Sequence, residues 1–80
     1  MNGEPERGDR LVDRTGRAIG RIDAVFADYV LVRTRGVLPT DLYVPRPQLS
    51  SADPGRFSVN ATPDEAYERW HRPLRSAPHD

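Results

Sequence analysis

Eighty residues with 36% hydrophobic content and a mean hydropathy of −0.72 allow one domain with a small core, near the lower limit at which a core stabilises a fold unaided. The absence of cysteine excludes a disulfide framework and a thiolate zinc site and fits a reducing cytoplasm. No apolar run approaches the roughly 20 residues of a membrane span, and the opening MNGEPERGDR lacks the apolar stretch of a signal peptide.

Twelve bases, all arginine, balance twelve acids. Neither half of the chain is a basic block, so binding to nucleic acid by bulk phosphate neutralisation has little support.

Residues 1–7 are polar, carry Gly and Pro, and read as a flexible tail. A short first strand is predicted over 9–13, followed by the turn Arg14-Thr15-Gly16-Arg17, in which Gly16 supplies a positive φ. The second strand, 18–26, alternates, with Ile22, Ala24 and Phe26 on one face and Arg21, Asp23 and Val25 on the other. After Ala27-Asp28 a third strand over 29–35 is rich in β-branched and aromatic residues, with Val30, Val32 and Thr34 on its less polar face.

Gly36 and Pro39 punctuate a loop before a short strand, Leu42-Tyr43-Val44, closed by Pro45 and Pro47. Neither proline can donate to a ladder, which places this strand at an edge or a bend. SSADPG reads as a turn, and Arg56-Phe57-Ser58-Val59 as a last strand. The one helix comes next, over 62–72. Thr62 is its N-cap, Pro63 its first residue, and Glu65 completes a T-x-x-E capping box. Glu65–Arg69 and Glu68–Arg72 have the spacing of helical ion pairs. So short a helix needs tertiary contact, and Ala66, Tyr67 and Trp70 share the face that can supply it. Residues 73–80 read as a flexible tail, although Leu74 could clip onto the barrel or a partner.

Gly16 and Gly20 raise the question of a phosphate loop, which needs glycines between a strand and a helix N-terminus. Here strand pattern lies on both sides. Gly16 therefore reads as a turn residue, and Gly20 as a bulge, a barrel corner or a close backbone approach.

Leu11-Val12-Asp13, Gly16, Ile19-Gly20, Ile22, Val25 and Asp28, followed by DLYVP and NATPDEAYERW, resemble the pattern of the PRC-barrel superfamily across residues 8–71. The resemblance implies a mainly β fold over residues 8–61: a small PRC-like β-barrel of five to six short strands with one C-terminal helix packed on it. The superfamily includes the cytoplasmic domain of the photosynthetic reaction-centre H subunit and the C-terminal domain of a ribosome-maturation factor. Both act through protein contacts, and the fold carries no shared catalytic residues. Neither specific role transfers; a small interaction barrel is what the resemblance implies.

The residues themselves offer little catalytic chemistry. His71 and His79 stand eight apart, one at the helix end and one in the tail, a poor metal pair. The serines lack a nucleophile-elbow setting. Asp13 and Asp28 could be paired carboxylates, but turn residues of this kind more often accept backbone hydrogen bonds. No enzyme, metal or cofactor is expected. Tyr29, Arg33 and Arg35 on the third strand, and Tyr43 with Arg46 beside the proline-flanked edge, are the candidate contact residues. Gly16, Gly20, Thr62, Glu65, Tyr67 and Trp70 are expected to be structural. The chain thus reads as a non-enzymatic cytoplasmic interaction module for a protein partner or itself. The alternative is a small barrel that binds RNA or an anionic ligand through its arginines.

Overall fold

A computed structural model describes residues 4–34 and 39–71. Within them the protein is mainly β, with a six-stranded mixed sheet and one helix. The strands are β1 (Arg10–Asp13), β2 (Ala18–Val25), β3 (Tyr29–Thr34), β4 (Asp41–Pro45), β5 (Ser50–Asp53) and β6 (Arg56–Val59), followed by α1 (Pro63–Trp70). A single 3₁₀ turn, Arg46–Gln48, separates β4 from β5. No described helix is long and apolar enough to cross a membrane.

β1 to β4 form an antiparallel meander, β6 adds in parallel along the free side of β1, and β5 hairpins onto β6. The spatial order is β4-β3-β2-β1-β6-β5, so the proline-flanked strand β4 occupies an edge, one of the two placements its prolines allow. Consecutive strands β4 and β5 lie at opposite edges. Five steps of chain from Pro45 to Ser50 reach at most about 18 Å. Six strands laid flat would separate their edges by about 24 Å. The sheet must therefore curl. It does not close, since no ladder joins β4 to β5.

The concave side of that curl holds the core. Leu11, Ile22, Val30, Val32, Leu42, Val44, Phe57 and Val59 meet there with Ala61, Ala66 and Trp70. β3 and β4 alternate cleanly, with Val30, Val32, Leu42 and Val44 fully buried. α1 lies against β4 and β2. Its start forms as the local sequence dictates. The Thr62 side chain accepts from the Glu65 N–H at 3.1 Å, and the Glu65 carboxylate accepts from the Thr62 N–H at 3.0 Å. The helix ends at Trp70, with His71 as its C-cap.

Three expectations need correction. Ser50–Asp53 is a strand and not a turn; the turn is confined to Pro54-Gly55. The residues of β5 are all exposed and poor strand formers, held by the β6 ladder alone. The alternation of β2 is broken by a bulge at Asp23, because Ile22 pairs with Val32 while Ala24 pairs with Leu31. The bulge reverses the phase, so Ala24 and Phe26 do not continue the buried row of Ile22, and Phe26 is 44% exposed. Tyr67 is also 44% exposed: only Ala66 and Trp70, a full turn apart, face the core.

Candidate functional site

The turn between β1 and β2 is built on Asp13. Its Oδ1 accepts from the Thr15 N–H (2.8 Å), the Thr15 hydroxyl (2.6 Å) and the Arg17 N–H (2.9 Å). Its backbone N–H donates to the Arg17 carbonyl, and its own carbonyl accepts from the Gly16 N–H. Gly16 takes φ +94°, which closes the turn. The Thr15 hydroxyl foremost holds the Asp13 carboxyl below its ordinary value, aided by the two backbone donors and the Arg17 charge, while burial opposes. Asp28 lies past the far end of β2, about 23 Å of strand away, so the two acids do not form a carboxylate pair.

Of the candidate contact residues, Tyr29, Arg33 and Tyr43 fall on the outer face of the sheet. Tyr29, Leu31 and Arg33 of β3 project there, as do Asp41, Tyr43 and Pro45 of β4, each paired across the ladder. Tyr29 stacks on Phe26 with ring centroids 4.7 Å apart, and Tyr43 leans on Tyr29 at 5.8 Å. Phe26, which the assumed alternation of β2 sent inward, thus joins the two tyrosines in an aromatic cluster at the β4 edge. The exposed Val25 adjoins it in the chain.

Arg46 stands beside this cluster with its charge already engaged. Nη1 donates to the Phe26 carbonyl at 3.0 Å and Nη2 to Glu4 Oε1 at 2.8 Å, while its backbone N–H donates to the Asp28 carbonyl. It clamps the β2–β3 turn, the Glu4 segment and the 3₁₀ turn together. Arg33 is open to solvent and faces Asp41 at 4.0 Å. Arg35 lies outside the described residues, as do Arg72, the 73–80 segment and His79. His71 stacks on Tyr67 at 4.5 Å, and its Nδ1 donates to the Tyr67 carbonyl at 2.6 Å, which caps the helix end. Among the described residues no cluster of His, Asp or Glu could hold a metal ion.

The pairing also assembles a group of residues that spacing along the chain does not reveal. At one level of the sheet the ladder partners run Asp41, Arg33, Arg21, Arg10, Arg56 and Asp53, one from each strand in spatial order. Four arginines therefore stand side by side across β3, β2, β1 and β6. The two outer ones meet the terminal acids, Arg33 with Asp41 and Arg56 with Asp53 at 3.5 Å. Arg10 and Arg21 have no carboxylate within ion-pair distance among the described residues. A hollow of about 200 Å³ lies among Arg10, Arg21 and Arg56, with Val12, Ala18 and Gly20 also lining it. No family model and no curated protein matches this chain.

Proposed function

We propose that the chain is a non-enzymatic, cytoplasmic protein-interaction module with a PRC-barrel-like architecture. The curled sheet and its closing helix act as a rigid scaffold for an outward contact surface. One observation carries this reading: Phe26, Tyr29 and Tyr43 form an aromatic cluster on the outer face, at a sheet edge, with Phe26 open to solvent. Tyr29 and Tyr43 are half-buried beside it, and clustered surface aromatics are the residues that interfaces favour, since they offer large area at small ordering cost. The titratable groups near the turns support a structural use over a chemical one. The Asp13 carboxylate spends its hydrogen bonds holding a hairpin, and Arg46 spends its own clamping three segments.

The test is a paired capture. The wild-type chain and a Phe26→Ser/Tyr43→Ser variant are immobilised and exposed to the native extract, with folding of both checked by circular dichroism. A partner retained by the wild type and lost from the folded variant supports the reading. A partner retained equally by both would move the contact away from the aromatic cluster, and no partner retained by either, with a monomeric mass at high concentration, would falsify the reading.

A further inference from the structure

The row of arginines is costly to a free protein. Like charges directly opposite on neighbouring strands destabilise a sheet, and here Arg56 faces Arg10, Arg10 faces Arg21, and Arg21 faces Arg33. Local rules broken in this way tend to mark functional surface. We propose that this row, centred on Arg10 and Arg21, is the seat of a short acidic segment of the protein partner. It rests on the reading of the chain as a protein-binding module and adds the chemistry of what is bound.

Four features select that occupant. Guanidinium groups grip carboxylates with paired N–H donors, and Arg10 and Arg21, which flank a hollow, have no carboxylate partner among the described residues. The four arginines span about 14 Å across the strands, enough for two or three carboxylates of an extended chain. Acids close the row at both ends, Asp41 on β4 and Asp53 on β5, and the exposed Asp23 follows Arg21 by two residues. A long polyanion lying across the sheet would be driven over these carboxylates, whereas a short acidic segment stops before them. The hollow is lined by Val12, Ala18 and Gly20, with no aromatic ring on which a nucleic-acid base could stack.

The experiment is fluorescence anisotropy at low salt with a short labelled peptide that alternates glutamate and serine. A glutamine–serine peptide and a single-stranded oligothymidylate serve as the other probes. The acidic peptide is expected to bind saturably, and the neutral one not to bind. Arg10→Gln/Arg21→Gln should weaken binding by about tenfold or more. Arg10→Lys/Arg21→Lys, which keeps the charge and loses the planar fork, should fall between, and Arg69→Gln on the exposed side of α1 should leave it unchanged. The glutamine pair relieves repulsion, so its thermal midpoint should match or exceed the wild type's.

Equal binding to the wild type and the glutamine pair overturns the proposal. So does an oligothymidylate that displaces the peptide at lower concentration, which would assign the row to a phosphate backbone. The paired capture on Phe26 and Tyr43 separates the two readings. If capture depends on the aromatic cluster while the peptide fails, only the arginine seat falls; if the peptide binds and the captures are identical, only the aromatic surface falls.

Discussion

Gly20 on β2 and Arg33 on β3 meet backbone to backbone, with no room for a methyl group between them. A Cβ on Gly20 would overlap the Arg33 carbonyl oxygen and stand 2.9 Å from Val32 Cγ1. Gly20→Ala should therefore push two central strands apart and cost about 1–3 kcal/mol. Urea unfolding followed by tryptophan fluorescence measures this, and an unchanged midpoint would mean that the strands yield freely.

Trp70 and Tyr67 sit on the same short helix with opposite roles. Trp70 is 6% exposed in the core and Tyr67 is 44% exposed. Trp70→Ala should cost about 3–5 kcal/mol, a large share of the stability of so small a domain. Tyr67→Ala should cost well under half as much, since its ring lies outside the core and stacks on His71 at the helix surface. Parallel melts followed by circular dichroism decide the ratio; equal losses would place both rings in the core.

Thr62 begins that helix through a reciprocal pair of hydrogen bonds with Glu65. Thr62→Ala removes one side of the box and should lower stability by about 1 kcal/mol. Thr62→Ser, which keeps the hydroxyl, should stay close to wild type in the same chemical melt.

Asp13 gives the hairpin a pH signature. Its folded-state value lies below the ordinary 3.8, chiefly through the Thr15 hydroxyl. A carboxyl with a depressed folded value contributes stability above its unfolded value and loses it as pH falls through the folded one. The wild type should therefore lose that contribution on acidification below about pH 4. Asp13→Asn should be less stable at neutral pH and should lose less on acidification. Urea midpoints across that range test this; parallel curves for the two proteins would remove Asp13 as a source of the pH dependence.

The features legible in the sequence are those written in a few neighbouring residues. Thr62, Pro63 and Glu65 specify a helix start by themselves, and Gly16 after Asp13 specifies a turn. Gly20 marked a bulge, a barrel corner or a close approach without choosing among them; the ladder puts the Arg33 backbone against it and a register shift beside it. Pro45 and Pro47 narrowed β4 to an edge or a bend, and it lies at an edge. What stayed hidden depends on partners far along the chain. The bulge at Asp23 arises from how β2 must meet β3, and a period-two reading carried straight through it, misplacing Phe26. β5 is hidden because Ser50-Ser51-Ala52-Asp53 has little strand preference of its own. The arginine row is hidden for the deepest reason: register between strands is absent from any single stretch, so Arg10, Arg21, Arg33 and Arg56 look like scattered surface charge until the ladder aligns them.

The parallel contact between β1 and β6 makes the order of synthesis matter. Arg10 pairs with Arg56 and Asp13 with Val59, forty-six positions later in each case, so β1 carries an open flank until nearly the whole sheet has been made. Such distant partners slow folding, because the loop between them must close before any contact rewards it. On a ribosome, a nascent chain halted before Arg56 would hold its first four strands as a meander whose inner apolar row awaits both a sixth strand and an indole.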